Sequence, residues 1–254
     1  KGSDFTLVIS FGGDSGAYLG VIGVLKFLKD SKVDFTVRCC GISSIPCALF
    51  FLTRSTNRTY SILVKEWKNI EKLLDPFFTK GIDQLSMVDA LRILMRIGDT
   101  LNGVRNHERL YRYIDSLFPA QKIPGGLEIW VFDLFEGKEV VFKEGDDLRK
   151  ALKISLSFPI LYRPYEDRYV PITWITGVPE GELTILFDVE KEKNPPRNAL
   201  EYLFLSTTAR TKHLEKERIK KAKSLRIACS SLSPVSTTRR AYEEFSRFFE
   251  EVVL

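Results

Sequence analysis

Apolar residues open the chain in an unbroken run rather than in alternation. Thr6 to Ser10 (TLVIS) has the pattern of a short strand covered on both faces, and it leads through a glycine-rich turn into a nearly all-apolar helix from about Gly16 to Leu28. The same sequence of elements then repeats. Phe35 to Cys40 reads as a strand and Ile45 to Leu52 as a buried helix. Pro46 suits that helix because the N–H groups of a first turn have no partner within the helix. Two successive strand–turn–buried-helix units predict a parallel, doubly wound opening.

From residue 58 to 118 the period lengthens to that of amphipathic helices. Ile62, Trp67, Ile70, Leu73 and Leu74 form one stripe, and Leu91, Leu94, Met95 and Leu101 form another. This stretch is read as a helical insert. Leu127 to Phe132 and Glu139 to Phe142 are read as strands joined by a hairpin turn at Phe135-Glu-Gly-Lys138. A helix over Leu148 to Ser155 follows, then two short extended pieces within Tyr162 to Pro171 around Glu166-Asp167, and a buried strand over Leu183 to Val189. The last third holds a basic helix, a strand near Leu225 to Cys229 and an amphipathic helix from about Arg239. There is no internal repeat, and Asn194-Pro-Pro-Arg197 reads as a loop, so residues 1–254 are taken as a single domain. The expected fold class is α/β, a three-layer domain with a mostly parallel central sheet flanked by helices.

Composition narrows the function classes. Hydrophobic residues make up 44% of the 254 residues and charged residues 28%, as in a globular domain with a real core. No run approaches the roughly 18 apolar residues of a membrane-spanning helix. Three of the four cysteines, Cys39, Cys40 and Cys47, crowd one segment without a metal-binding spacing, and the chain has only two histidines. Reduced thiols in a cytoplasmic protein are expected, with no metal and no organic cofactor. The net charge is +5, and much of the excess falls in the segment 210–226. That segment is either a solvated helix face or a point of peripheral contact with an anionic membrane. No nucleic-acid partner is expected.

Two segments carry candidate chemistry. In Phe11-Gly-Gly-Asp-Ser-Gly16, backbone N–H groups of Gly12, Gly13, Asp14, Ser15 and Gly16 sit between a strand and a helix N-terminus. Such a turn suits an oxyanion or a phosphate, or it simply meets the need for a tight bend. The glycine spacing is not that of a dinucleotide fingerprint, and the Gly-Lys-Ser/Thr of a P-loop is missing. In Cys39-Cys-Gly-Ile-Ser-Ser-Ile-Pro46, a strand runs into Gly41-x-Ser43-x and then a helix, the setting of a nucleophile elbow. The last glycine of that pattern is here Ile45. A serine nucleophile needs a base, and neither His107 nor His213 follows a strand end, so a Ser-His-Asp triad is not expected.

Taken together, and about thirty residues apart, these motifs resemble the opening of patatin-like phospholipases. Those enzymes use a glycine-rich oxyanion loop, a GxSxG serine and a later Asp-Gly-Gly aspartate as a dyad. Trp130 to Phe142, the Ser155-Leu-Ser-Phe-Pro159 run and Arg168 to Pro179 follow in the family's order, so the resemblance runs from about residue 5 to residue 190. It implies a lipid or acyl-ester ligand and Ser43 at the nucleophile position. It also implies that the aspartate position is held by Pro171, which has no acid and no N–H. Ser15 stands where the family has Arg or Lys, and Phe11 where it has its first glycine. Gly16, Gly41, Asp133, Gly137, Pro159 and Pro179 keep the family's scaffold positions. Asp14 is the nearest alternative base. Asp167, four residues upstream of Pro171 on a run read as extended, would sit roughly 13 Å away. The resemblance therefore implies a lipid acyl hydrolase scaffold with impaired activity. The rival readings are an active serine esterase that activates Ser43 in another way, and a phosphate- or nucleotide-binding module built on the glycine loop.

Overall fold

The computed structural model describes residues 6–12, 16–74, 105–159, 161–190, 195, 199–229 and 233–252. Two strand–helix units open the chain. Strand β1 (Leu7–Gly12) leads through a 3-10 turn (Gly16–Leu19) into helix α1 (Gly20–Asp30), and β2 (Phe35–Cys39) leads through a second 3-10 turn (Gly41–Ser43) into α2 (Ser44–Thr53). Helices α3 (Thr56–Leu74) and α4 (His107–Leu117) belong to the expected helical insert. The stripe read at Leu91 to Leu101 lies outside the described residues. Strands β3 (Leu127–Asp133) and β4 (Lys138–Phe142) form the hairpin, followed by α5 (Leu148–Ser155), β5 (Tyr169–Pro171) and β6 (Leu183–Val189). The chain then passes through α6 (Ala199–Ile219), β7 (Lys223–Cys229) and α7 (Pro234–Val252).

The seven strands make one sheet in the order β4-β3-β2-β1-β6-β7, with β5 also paired to β3. Four pairings are parallel, and β4 and β5 run antiparallel to β3. The fold is thus a mixed α/β domain with a mostly parallel central sheet flanked by helices. The β1–α1–β2 and β2–α2–β3 crossovers step one way along the sheet, and β6–α6–β7 steps the other way. Right-handed crossovers then put α1 and α2 on one face and α6 on the opposite face.

Side chains of β1 divide between these faces. Phe11 stacks on Phe187 with centroids 6.2 Å apart, toward α1 and α7. Helices α1 and α7 pack at near backbone contact, because Gly23 lets the helices close until a Cβ there would lie 2.2 Å from Thr238 O. Phe27 fills the rest of that seam, edge-on to Tyr242, Phe245 and Phe249. Ser10 and Gly12 face the other way, and Ser10 Oγ lies 2.9 Å from Thr184 Oγ1 on β6.

Three local expectations change. The final helix begins at Pro234, five residues before Arg239, since proline is well suited to a helix's first turn. Of the two extended pieces read within Tyr162 to Pro171, only β5 is a strand. The other reduces to a single Tyr165–Tyr169 bridge closed by Glu166 and Asp167, which both take positive φ (52° and 55°). Most of the loop read at Asn194 to Arg197 lies outside the described residues. Among the described residues no helix is long and apolar enough to cross a membrane.

Candidate functional site

Strand pairing brings the serine turn and the proline together. On β3, Ile129 is opposite Cys39 of β2 and Val131 is opposite Pro171 of β5. β5 therefore continues the line of β2 along β3, just past the end of β2. Cys39 and Pro171 are separated along that line by two residues of β3, roughly 7 Å at strand spacing. The turn that carries Ser43 starts in this gap.

Its apex is Gly41 (φ 55°), while Ser43 is helical (φ −64°, ψ −18°). Glycine adopts the left-handed region without a Cβ penalty, so the bend is made two residues before the serine. Ser43 thus enters the first helical turn, and its hydroxyl folds back. Ser43 Oγ donates to Cys40 O at 2.7 Å and lies 3.4 Å from Phe11 O, and the side chain is 1% exposed. This is a local side chain-to-backbone bond of the kind serines form near helix starts. The Cys40 N–H approaches the same oxygen at 3.4 Å. Among the described residues, the hydrogen bonds of Ser43 Oγ all involve backbone atoms. Ser44 is buried beside it and bonds Ser155 Oγ at 2.8 Å, so the Ser-x-Ser-x-Pro run braces the turn from α5.

The surroundings are apolar and closed. Ile42, Ile45, Ile172 and Val178 are buried. Val178 lies so close to Gly12 that a Cβ at Gly12 would meet Val178 Cγ2 at 2.5 Å. Gly12 and Gly16 are described, and Gly13, Asp14 and Ser15 lie outside the described residues. The readings of those three as oxyanion donors, and of Asp14 as a base, are therefore carried by sequence only.

The segment over Gly12 is held in place by polar groups far apart in sequence. Arg218 of α6 donates to Val178 O at 2.8 Å and to Glu139 Oε1 of β4 at 2.7 Å. Thr176 Oγ1 donates to the same Glu139 oxygen at 2.6 Å, and Thr211 Oγ1 donates to Trp174 O at 3.0 Å. Glu215 packs on Gly177 and pairs with Arg226 at 2.9 Å. Burial pushes the Glu215 carboxyl up from its ordinary value, with the Arg226 charge opposing that shift. Sequence reasoning missed this clamp. Its one local cue is the Gly177-Val-Pro179 turn.

The carboxylates of Asp167 and Asp133 are engaged in ion pairs of their own. Asp167 sits in the positive-φ turn rather than on an extended run, and it pairs with Arg163, so the spacing estimated for an extended chain does not apply. Asp133 is buried under a two-pronged contact, with Arg168 Nε 2.8 Å from Oδ1 and Nη2 2.5 Å from Oδ2. The Arg168 hydrogen bonds, helped by the backbone N–H groups of Glu136 and Phe135, hold the Asp133 carboxyl down at about 2. His107 packs edgewise on Tyr111 and His213 is exposed on α6. The four cysteines are buried free thiols. No group of three or more metal-ligating side chains occurs among the described residues.

Among solved structures, the chain is similar to VipD from Legionella pneumophila, at 11% identity and a TM-score of 0.48, covering 97% of this chain and 66% of that one. It is also similar to a chain of the complex of full-length SpcU with full-length ExoU from the type III secretion system of Pseudomonas aeruginosa. That match has 15% identity and a TM-score of 0.37, covering 97% of this chain and 52% of the other. Likeness at this level adds nothing to the topology read from the strands. No family model and no curated protein matches the chain.

Proposed function

We propose that the chain is a patatin-like lipid acyl hydrolase scaffold in which the serine–aspartate chemistry has been lost and a binding role remains. The observation that carries this reading is Pro171. It stands at the aspartate position of the family pattern and, by strand register, just beyond the turn that bears Ser43. A proline side chain can neither accept the serine proton nor orient a base. Two further observations support the same reading: the Ser43 hydroxyl is bonded to Cys40 O, and Val178 covers the Gly12 end of the oxyanion loop. General-base assistance is worth about 10²–10⁴-fold, so its loss leaves little beyond what binding and an oxyanion site supply.

The test is hydrolysis of a short-chain nitrophenyl ester by the protein and by Ser43→Ala, with fluorophosphonate labelling alongside. Equal rates and no label on Ser43 are expected. A rate that collapses in Ser43→Ala, with label on Ser43 in the parent, would overturn the proposal and establish an active serine esterase.

A further inference from the structure

Among its described side chains, helix α6 makes its packing contacts in its second half. Its 21 residues span roughly 30 Å at the usual rise. Thr211, Glu215 and Arg218, spaced four and three residues apart, hold its second half to the segment around Trp174 to Val178. The first half is different. Tyr202 is 66% exposed, Leu203 61% and Leu205 45%, and every side chain from Ser206 to Arg210 is exposed as well. Single exposed apolar residues are ordinary, but three within about one turn of a helix form a patch.

The charges on this helix also sort by direction. Arg218 is spent on Glu139 and Val178 O, and Arg226, on the neighbouring strand, is spent on Asp188 and Glu215. These two cannot serve an outside partner, so the contact read over 210–226 moves toward the N-terminal part of α6. Arg210, Lys212 and Lys216 remain exposed. At 100° per residue, Leu205, Lys212 and Lys216 share one side with Tyr202, and Arg210 falls one helical repeat below Leu203. That side, centred on Lys216, points away from Thr211 and Arg218 and hence from the body, whereas Leu203 and Arg210 lie on the other flank, about 180° and 160° around the axis from Lys212.

We infer that the outward side of α6 docks on an anionic membrane surface, with Tyr202 and Leu205 entering the headgroup region and Lys212 and Lys216 facing acidic headgroups. An apolar turn followed by cations on one exposed helix side complements an anionic lipid–water boundary. Tyrosine suits the headgroup level, and lysine stems lie along apolar surface while the ammonium stays in water. The inference concerns a surface separate from Ser43 and stands whether or not that serine turns over.

The experiment is co-sedimentation of the 254-residue chain with vesicles of phosphatidylcholine alone and of phosphatidylcholine mixed with phosphatidylserine. Binding to the mixed vesicles is expected, falling with added salt, with little binding to phosphatidylcholine alone. Lys212→Ala with Lys216→Ala should weaken it roughly 25-fold, about fivefold per cation. Tyr202→Ser with Leu205→Ser should weaken it at least roughly tenfold. Both pairs are exposed, so thermal unfolding should be unmoved, which separates lost docking from lost folding. Failure to sediment with either vesicle, or sedimentation indifferent to both pairs of substitutions, would overturn the inference. So would a dimer in sedimentation velocity that dissociates in Tyr202→Ser/Leu205→Ser, since a second copy would then be the occupant of this face.

Discussion

Closure of the site at Gly12 can be measured as a coupling energy. A methyl added by Gly12→Ala would lie 2.5 Å from Val178 Cγ2, 2.8 Å from Val178 Cβ and 3.1 Å from Leu186 Cδ2. Carbon atoms rest about 3.5–4.0 Å apart, so something must move by about 1 Å. Val178 and Leu186 are fully buried, so neither can swing into solvent. Overpacking of this kind costs about 1–3 kcal/mol, and about 2 kcal/mol is expected here. Val178→Ala removes two buried carbons at about 0.8 kcal/mol each and leaves a small cavity, again about 2 kcal/mol. In the double variant the new methyl enters the space left by Val178 Cγ2, and only the smaller overlaps with Val178 Cβ and Leu186 Cδ2 remain to be relieved. The double variant should therefore cost about 2–3 kcal/mol rather than the sum of about 4, a coupling of about 1–2 kcal/mol. Urea unfolding of the four proteins, compared at unchanged m, reads these values. Additivity within about 0.5 kcal/mol would refute the packing of Val178 on Gly12, and with it the argument that the space beside Gly12 is filled.

Three further outcomes can be measured at other places in the fold. Gly23→Ala should destabilise by about 3 kcal/mol or more, because its methyl meets backbone atoms, Thr238 O at 2.2 Å and Tyr242 N at 2.8 Å. Gly137→Ala, at φ 62° in open space, should cost only about 1 kcal/mol of backbone strain, and thermal melts of the two variants check the order. Asp133 is held at about 2 in the folded protein, below its unfolded value of about 3.9. A lowered carboxyl adds stability that is fully present above the unfolded value and is lost as pH falls through the folded one. Urea midpoints should therefore drop between about pH 4 and pH 2 in the parent and drop less in Asp133→Asn; equal slopes would count against the Arg168 contact.

Much of the fold was legible because it rests on local rules. Leu183 to Val189 was bounded to the residue and the helix near Leu148 to Ser155 was placed correctly, since apolar period and flanking turn residues mark such elements without tertiary help. The two opening strand–helix units followed from unbroken apolar runs, which only elements covered on both faces can tolerate. The start of α7 and the bridge at Tyr165 were less clear, because a first helical turn and a two-residue contact carry no period.

The site divides the same way. Sequence alone determined that a serine would follow a strand and precede a helix, that Ile45 would stand two residues after it, and that position 171 would be a proline. Only the tertiary structure decided where the bend falls, at Gly41, and therefore that the Ser43 hydroxyl reaches Cys40 O. It also decided that Val178 lies on Gly12 and that Arg218 joins Glu139 across 79 residues. The physical reason is range. Helix period and turn chemistry are properties of neighbouring residues, whereas the filling of a pocket depends on which distant side chains the strand order brings to the same face of the sheet.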